Sequence, residues 1–280
     1  MSLKRKSLES VDFEKIIRSQ QNKTVRNLPN FVIKIIRKVL REKGLNKWLN
    51  YSKGTFNIDF IKKSHEFFNV KVKTEGLENI DPNGRYIFVA NHPIGGLDFS
   101  STIYGMSEKF PDIRVIANKV LTELSNLEEM ILPVGVFEKT NNEDSIKIEA
   151  VMTSDNFQIM TFPAGLVARK INRKVQDSKW HRSFIRHAVH YERDVVPVFI
   201  DSYNSKFFYR LGQVRKFFKI KANLEMFFII GEQFKKKNST IPVHFGKPIS
   251  YKEFTDEKTH LEWAQKVKEE LYSMQIKGEE

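Results

Sequence analysis

The chain has 280 residues, of which 40% are hydrophobic and none is cysteine, and its formal net charge is +13. This composition is sufficient for one large buried core and excludes global disorder. The lack of cysteine excludes disulfides, thiolate metal sites and a cysteine nucleophile, and it fits a reducing compartment. Residues 1–30 lack the apolar core of a signal peptide and no eighteen apolar residues run together, so we expect neither export nor a membrane-spanning helix.

The positive charge is concentrated in two segments. Residues 1–50 carry a net charge of +9 and residues 165–221 a net charge of +10, whereas the rest of the chain sums to −6. Such segregation predicts a negatively charged partner, which we take to be anionic lipid, nucleic acid or an acidic carrier. A solvated basic face without a partner is the alternative for either segment.

The first predicted element is a basic amphipathic helix over residues 31–41. Its apolar residues recur at helical spacing, and its basic residues repeat that spacing on the opposite side. The apolar set is Val32, Ile35, Ile36, Val39 and Leu40, and the basic set is Lys34, Arg37, Lys38 and Arg41. We expect the helix to end near Lys43-Gly44 and Trp48 to lie at a lipid headgroup boundary. Packing of the apolar stripe on the protein's own core is the other interpretation.

A short loop after an apolar run carries the strongest chemical signal. The run 85–90 predicts a buried strand, and it is followed by Asn91-His92-Pro93-Ile94-Gly95-Gly96-Leu97-Asp98. A carboxylate that accepts one imidazole N–H fixes the tautomer and stabilises the charged ring, which makes His92 a candidate general base and Asp98 its orienting acid. The alternative is that Asp98 only caps a helix and His92 is an ordinary loop residue.

A second basic amphipathic segment occupies residues 207–218. Its apolar stripe consists of Phe207, Leu211, Val214 and Phe218, with Arg210, Arg215, Lys216 and Lys219 around it. Because the aromatic residues have helical spacing, this pattern favours a lipid-facing or core-facing helix over a base-stacking platform. No helix-turn-helix, zinc-finger or RNA-recognition signature is present, so we expect no specific nucleic-acid partner.

The whole chain alternates apolar runs with helical patterns. Strands are predicted at 71–74, 86–90, 113–117, 131–137, 157–162, 195–200, 224–229 and 243–245, and helices at 99–110, 143–154, 178–191 and 259–274. We expect Asp177 to cap the third of these helices and Trp180 to pack in the core. This alternation indicates an α/β fold with a central, mostly parallel or mixed sheet flanked by helices. We expect residues 1–65 to form a basic amphipathic membrane-docking segment and residues 66–280 to form the α/β domain.

Four blocks in order resemble those of the glycerolipid, or lysophospholipid, acyltransferase superfamily. They are Asn91-His92 through Asp98, Gly135-Val136-Phe137-Glu138-Lys139, Phe162-Pro163-Ala164-Gly165 and Val196-Pro197-Val198. The first block looks like the Asn-His-Pro-x-Gly-Gly-x-Asp signature of a subgroup that contains hemolysin-like proteins and the O-acyltransferases that make ornithine or glycine lipids. The likeness covers most of residues 70–250.

This resemblance implies an O-acyltransferase that moves a fatty acyl group from acyl carrier protein or coenzyme A to the hydroxyl of a lyso-lipid. His92 would be the base and Asp98 its orienter, with no covalent acyl-enzyme and no metal or other cofactor. Substrate-binding roles fall on Asn91, Gly95, Gly96, Glu138, Lys139, Pro163, Gly165 and Arg169. Backbone N–H groups near Gly95 and Gly96 are candidate donors to the oxyanion. The protein would work peripherally on the cytoplasmic face of the inner membrane.

Two departures from the commoner family pattern matter. Five residues separate His92 from Asp98 instead of four, and we expect the glycines to bulge so that the contact is restored. The third block lacks the usual acidic residue, and its nearest basic residue is Arg169, which can pair with a phosphate or a carboxylate. A lyso-aminolipid with a free carboxylate is therefore a candidate acceptor beside lysophosphatidic acid, and a plain surface arginine is the alternative.

Two other classes of function fit the same residues. A lipid-binding protein without catalytic activity would keep the fold, and a lipase or thioesterase would use the same His-Asp dyad with water as acceptor. Ser100 and Ser101 follow the dyad, but no Gly-x-Ser-x-Gly elbow surrounds them.

Overall fold

A seven-stranded sheet forms the centre of the computed structural model, which describes residues 6–134, 142–219 and 223–275. Its strands are β1 (Lys71–Glu75), β2 (Tyr86–Ala90), β3 (Ile113–Asn118), β4 (Ile131–Val134), β5 (Gln158–Thr161), β8 (Asp194–Ile200) and β9 (Thr240–Phe245). A separate antiparallel hairpin consists of β6 (Arg169–Ile171) and β7 (Lys174–Gln176).

The sheet order places the predicted catalytic loop at its middle. The order is β1-β9-β8-β2-β5-β3-β4, and neighbouring strands are parallel except for the antiparallel pair β8 and β9. Strand β2 is buried along its whole length because it has partners on both edges and helices on both faces. Functional loops of parallel sheets gather where strands end, and the loop after β2 lies at such an end. The predicted α/β class is confirmed.

Helices cover both faces of the sheet. They are α1 (Phe13–Arg18), α2 (Lys23–Arg26), α3 (Asn30–Val39), α4 (Glu42–Tyr51), α5 (Asn57–Phe68), α6 (Gly96–Met106), α7 (Asn142–Thr153), α8 (Ser183–Tyr191), α9 (Lys206–Phe217), α10 (Ile229–Lys235) and α11 (His260–Ser273). Short 3₁₀ helices span Leu77–Asn79, Lys119–Glu123, Ser125–Leu127, Leu224–Phe228 and Tyr251–Glu253. Within the described ranges, no helix has the length and apolar character that a bilayer crossing requires.

The alternation of side chains along β2 divides the interior into two cores. Phe88 and Ala90 belong to the core on the side of α4, α5 and α6, whereas Ile87 and Val89 belong to the core on the side of α7, α8 and α11. Leu49 and Phe60 from the N-terminal helices share the first of these cores with the strands. The division of the chain at residue 65 stays a prediction.

Most predicted strands agree with the structure to within a few residues, but the one at 224–229 is wrong. That stretch forms the 3₁₀ helix Leu224–Phe228 and then enters α10. A run of six mostly apolar residues fits either a strand or one face of a buried helix, and its periodicity cannot separate the two. The strand predicted at 131–137 begins as β4, and its residues beyond 134 lie outside the described part of the chain.

The predicted N-terminal helix is confirmed, but the predicted position of its C-terminal end and the predicted environment of Trp48 are wrong. Helix α3 ends at Val39, and Arg41 has φ = 55°, so a new helix starts at Glu42 and contains Gly44. Trp48 lies against the protein core rather than at a lipid boundary. Its ring centroid is 5.3 Å from that of Phe60, and its indole N–H donates to Ser64 Oγ at 2.9 Å.

The two faces of α3 have different surroundings. Ile33 is buried, whereas Phe31 and Ile35 are exposed together with the neighbouring Lys34 and Lys38. The helix therefore packs on the protein through one edge and presents apolar and basic side chains to solvent through the other. Packing on the protein's own core is observed at the edge with Ile33, and contact of the other edge with lipid stays a prediction.

Helix α8 begins later than predicted. The sequence favoured a start at Ser178, with Asp177 as a cap, but the first helical residue is Ser183. Asp177 is instead fully buried, and Trp180 packs in the second core as expected. The burial of Asp177 has a direct consequence for His92, described below.

Candidate active site

The structure brings His92 and Asp98 into direct contact. Nδ1 of His92 lies 2.9 Å from Oδ2 of Asp98, which is within hydrogen-bond distance. The Asp98 side chain is 0% exposed and the His92 side chain is 21% exposed, so the carboxylate is hidden behind the ring. This arrangement has the geometry of a base and its orienting acid, and the catalytic roles of the two residues stay predictions.

The Asp98 carboxylate also organises the loop that precedes it. The backbone N–H groups of Ile94 and Gly95 both donate to Oδ2 at 2.9 Å. The N-cap of α6 is Gly95 and Asp98 is the third residue of the helix, so the alternative in which Asp98 is the helix cap is wrong. The Asp98 carboxylate holds the preceding loop and His92 at the same time. No hydrogen-bond partner for Oδ1 of Asp98 occurs in the described ranges.

The hydrogen bond to Asp98 decides which nitrogen of His92 can act as a base. An ionised carboxylate only accepts, so Nδ1 carries the proton and Nε2 carries the lone pair. The ring lies against Phe162, with centroids 4.7 Å apart and planes at 37°, which restricts its orientation. Because Nδ1 is engaged and the ring is partly exposed, Nε2 is placed to take a proton from an entering hydroxyl.

Gly95 makes the five-residue spacing between His92 and Asp98 possible. Its φ of +91° and ψ of −131° lie in a region that only glycine adopts without strain. A Cβ at this position would also lie 2.9 Å from Cγ1 of Ile229 in α10. The predicted bulge is present, and it depends on a glycine both for the backbone angle and for the close approach of α10.

Burial raises the pKa of Asp98 above its ordinary value. Its hydrogen bond and charge interaction with His92 lower this pKa, as do the hydrogen bonds from Ile94 and Gly95, but desolvation is the largest effect. A charged imidazole favours an ionised neighbour, so ionised Asp98 stabilises the imidazolium that forms when Nε2 accepts a proton.

Asp177 is a residue near the site that the sequence analysis misinterpreted as a helix cap. Its Oδ1 accepts the backbone N–H of His92 at 3.1 Å, and its Oδ2 accepts the indole N–H of Trp180 at 2.8 Å. Burial raises the pKa of Asp177 to about 6. No residue near Asp177 in the chain indicates this role, because 85 residues separate Asp177 from His92.

Asn91 links β2 to β8 through its side chain. Its Nδ2 donates to the backbone oxygen of Ile200 at 3.0 Å, and its Oδ1 accepts the N–H of Ile200 at 2.7 Å. The amide therefore extends the hydrogen-bonded ladder by one step beyond the last pair of strand residues. Both polar ends of Asn91 are used within the fold, and its predicted contact with substrate stays a prediction.

The third block lies beside the dyad. The Phe162 ring contacts His92, the Pro163 oxygen accepts the N–H of His181 at 2.9 Å, and Gly165 is exposed with φ = 65°. The main chain that follows is attached to the loop, since the N–H of Ala168 donates to the backbone oxygen of His92 at 2.7 Å. The predicted residues Pro163 and Gly165 are thus near the dyad.

Arg169 is engaged inside the protein. Its Nε lies 3.1 Å from Oε1 of Glu225, its Nη1 donates to the backbone oxygen of Val167 at 2.6 Å, and its Nη2 lies 3.4 Å from Sδ of Met226. Glu225 is fully buried and also pairs with Arg215 at 3.0 Å. The structure therefore places the Arg169 guanidinium in an internal ion cluster, while contact with an acceptor stays a prediction.

The predicted substrate-binding residues of the second block and the predicted oxyanion donors have different outcomes. Glu138 and Lys139 lie outside the residues that the structure describes. The N–H of Gly95, offered as an oxyanion donor, already donates to Asp98, so that part of the expectation is wrong. Gly96 is exposed at the first position of α6, where backbone N–H groups have no acceptor within the helix.

Comparison with known proteins identifies the family. A family model described as "Acyltransferase" matches residues 15–277. Two curated relatives are both named lyso-glycine lipid O-acyltransferase. The one from Bacteroides thetaiotaomicron is 35% identical over 96% of this chain and 98% of its own length, and the one from Phocaeicola vulgatus is 33% identical over 96% of each chain.

A solved structure is also similar, at a lower level. It is the 1-acyl-sn-glycerophosphate acyltransferase PlsC from Thermotoga maritima, at 16% sequence identity and a TM-score of 0.49, with coverage of 89% of this chain and 91% of that one.

The chain belongs to the acyltransferase family, which the family match and the two curated relatives establish. It is accordingly an acyltransferase of the glycerolipid acyltransferase superfamily. The resemblance drawn from the four sequence blocks is confirmed.

Proposed function

We propose that this protein transfers a fatty acyl group from a thioester to the hydroxyl of a lyso-glycine lipid or a closely related lyso-aminolipid. The observation that carries the proposal is the 2.9 Å contact between His92 Nδ1 and Asp98 Oδ2 in the loop after β2. The names of the two relatives, which match nearly the whole chain, support the choice of acceptor.

The proposed reaction uses Nε2 of His92 as a general base. As the acceptor oxygen attacks the thioester carbonyl, its proton passes to Nε2, and ionised Asp98 stabilises the resulting imidazolium. Collapse of the tetrahedral intermediate breaks the carbon–sulfur bond, and the proton on Nε2 passes to the departing thiolate. The products are an ester and a free thiol, and no covalent acyl-enzyme is required.

The third block does not present Arg169 as a clasp for the phosphate of an acceptor. Ala164 stands where the commoner motif of the family has an acidic residue, and Arg169 is held by Glu225. An arginine that clasps a phosphate in a bidentate manner needs its guanidinium free on one edge. The exposed Lys170, Arg173 and Lys174 of the β6–β7 hairpin are candidates for recognition of an anionic headgroup.

We further propose that the enzyme works peripherally on the anionic cytoplasmic leaflet of the cell membrane. The exposed Phe31 and Ile35 of α3, with Lys34 and Lys38 beside them, suit a helix lying in a headgroup region. Acyl carrier protein and coenzyme A are both acidic, so the basic segments would attract either donor.

The test is a transfer assay with the full chain in nonionic detergent. Labelled acyl-carrier-protein and coenzyme A thioesters are each offered with lyso-glycine lipid, lyso-ornithine lipid or lysophosphatidic acid, and products are identified by mass spectrometry. We expect a diacylated product from lyso-glycine lipid at a rate at least about tenfold above that from lysophosphatidic acid, which corresponds to ~1.4 kcal/mol of discrimination.

Other outcomes would contradict the proposal in distinct ways. Release of free fatty acid at the same rate without any acceptor would indicate a thioesterase. Binding of lyso-lipid without a product from either donor would indicate a lipid-binding protein. A preference for lysophosphatidic acid would contradict the proposed acceptor but not the proposed type of reaction.

A further inference from the structure

Helix α9 has apolar residues on two faces, and only one of them packs on the protein. Phe208 and Gly212 are buried, and Phe208 and Tyr209 form a small core with Val167. The opposite side of the helix and the adjoining 3₁₀ helix expose a second apolar set, which we call the α9 patch. It consists of Phe207, Val214, Phe217, Phe218 and Phe227.

The exposure of the α9 patch is large for a folded protein. Phe217 is 80% exposed and Phe218 is 65% exposed, and their ring centroids lie 5.2 Å apart. Phe207 lies 5.2 Å from the ring of Phe228, which connects the helix to the neighbouring Phe227. Contiguous exposed apolar residues on a soluble surface indicate an interaction site, because leaving them in water costs free energy.

The charge around the α9 patch indicates what covers it. The sequence from Lys206 to Lys219 contains no acidic residue, and Arg210, Lys216 and Lys219 are exposed. Aromatic side chains bordered by basic ones suit the interface of an anionic bilayer, where the rings enter the headgroup region and the cations meet lipid phosphates. An acidic protein is the alternative occupant of this surface, and the vesicle test below distinguishes the two.

The position of the α9 patch relative to the dyad also fits a membrane. The hydroxyl of Tyr209 accepts the N–H of Asn204 at 3.0 Å, and Nδ2 of Asn204 donates to the backbone oxygen of Pro93 at 2.9 Å. Two hydrogen bonds thus connect α9 to the loop that carries His92. A bilayer docked at the patch would therefore contact a helix that is tied directly to the loop of the dyad.

Helix α10 adjoins the α9 patch and lies close to the residue that follows α3. It continues directly from the 3₁₀ helix that carries Phe227, and a Cβ on its Gly231 would lie 3.9 Å from Nε of Arg41. Residues of α10 also lie against Gly95 and Gly96 in the loop of the dyad.

We propose that the α9 patch is a second membrane-docking surface, which inserts aromatic side chains into an anionic bilayer beside the acyl-transfer site. Its placement next to that site draws on the proposed function, whereas binding to lipid does not require that function to be correct. Docking through α3 and through the α9 patch would fix the orientation of the enzyme on the bilayer, which one helix alone cannot do.

The test measures binding of the full chain to vesicles of phosphatidylcholine and phosphatidylglycerol at 7:3, and to vesicles of phosphatidylcholine alone, by co-sedimentation. The variant F217S/F218S removes two rings that make few contacts within the fold. Its matched control is I146S on α7, where Ile146 is 65% exposed. We expect F217S/F218S to bind mixed vesicles at least about tenfold more weakly, and I146S to bind like the wild type.

A charge variant tests the anionic component separately. K216E/K219E should weaken binding to the mixed vesicles and leave the weak binding to phosphatidylcholine unchanged, while K147E, an exposed lysine on α7, serves as control. In detergent, F217S/F218S, I146S and K147E should transfer acyl groups at the wild-type rate.

Three results separate this proposal from its alternatives. Wild-type binding of vesicles by F217S/F218S would overturn it. A loss of binding to acyl carrier protein with unchanged vesicle binding would assign the α9 patch to a protein partner instead. A wild-type protein that binds vesicles but transfers nothing in detergent would contradict the proposed function and leave the docking surface supported.

Discussion

Asp177 holds the backbone of His92 by accepting its N–H at 3.1 Å, so a carboxylate from a distant part of the chain fixes the residue that bears the predicted base. A second carboxylate, Asp98, holds the ring of the same residue. His92 is thereby restrained at its backbone and its side chain by two buried acids with raised pKa values.

The ionisation of Asp177 predicts a specific dependence of stability on pH. Its pKa of about 6 in the folded protein exceeds its ordinary 3.8, so the folded state binds the proton more tightly than the unfolded state. The resulting stabilisation is complete below about pH 4 and is lost as the pH rises through 6, an effect of at most ~3 kcal/mol. Interactions with His92 and Lys268 lower the pKa of Asp177 and so oppose this shift, and Tyr272 also interacts with Asp177.

Urea unfolding of the wild type and D177N at pH 4.5, 5.5, 6.5 and 7.5 checks this prediction. The difference in free energy of unfolding between the two proteins should shift in favour of the wild type as the pH falls, because other groups titrate alike in both. D256N, at an exposed aspartate, is the control and should follow the wild type. A pH-independent difference between the wild type and D177N would refute the assignment.

Replacement of His92 should strongly lower the rate of acyl transfer without unfolding the protein. H92A removes the base and should lower kcat by about 10³-fold or more, because general base catalysis and orientation are both lost. The control is H190A, an exposed histidine on α8, which should keep the wild-type rate. Thermal unfolding of both variants near the wild-type temperature would show that the fold is retained.

D98N separates the charge of Asp98 from its hydrogen bonds. The asparagine oxygen can still accept from His92, Ile94 and Gly95, but the imidazolium loses its counter-charge and Nδ2 takes the buried position of Oδ1. We expect kcat to fall by about 10²- to 10⁴-fold with a smaller change in KM. A variant whose KM rises while kcat is retained would show that Asp98 serves acceptor binding instead.

The backbone angle of Gly95 predicts a position-specific effect of alanine. G95A places a Cβ at φ = +91° and within 2.9 Å of Ile229, so it should lower the free energy of unfolding by about 2–3 kcal/mol and misplace the dyad. Gly54 also has a positive φ, of 73°, but a Cβ there meets nothing within 4 Å. G54A should therefore cost about 1 kcal/mol and leave kcat unchanged. Equal effects at the two positions would contradict the close approach of α10.

The ion cluster around Glu225 should be sensitive to loss of this acid. E225Q removes the carboxylate charge that pairs with the largely buried Arg169 and Arg215, and we expect a loss of about 3 kcal/mol in denaturant unfolding. E66Q breaks an exposed pair with Lys63 and should have little effect. Because α9 packs on this cluster, vesicle binding by E225Q provides a second readout. Unchanged stability of E225Q would show that the arginines have adequate solvation without Glu225.

Local patterns were sufficient to predict the sheet and the dyad. The strand β2 is a continuous apolar run, and His92 and Asp98 lie close together in sequence, so their contact depends on one loop. The same reasoning failed for 224–229, because Glu225 is buried against Arg215 of the preceding helix and against Arg169, which is 56 residues away, and a local pattern indicates neither contact. The position of Asp177 could not be foreseen for the same reason, since nothing near it in the chain indicates that His92 is its partner.

Short elements escaped prediction for a different reason. The hairpin β6–β7 has three residues in each strand, and its turn is made by Asn172 and Arg173, both with positive φ. Segments of this length contain too few residues for an alternating pattern to be recognised, although asparagine at a turn was an available signal. Similarly, α1 and α2 have six and four residues and show no helical periodicity.

The hydrogen bonds of the Asn91 side chain determine where a replacement loop is best joined to the rest of the protein. Because its amide replaces a backbone step between β2 and β8, residue 91 is a component of the sheet, whereas residues 92–98 form a closed unit held by Asp98 and α10. A loop graft from a related acyltransferase should therefore be joined after Asn91. A junction placed one residue earlier would also replace Asn91. It would thereby remove the hydrogen bonds between Asn91 and Ile200 and weaken the pairing of β2 with β8.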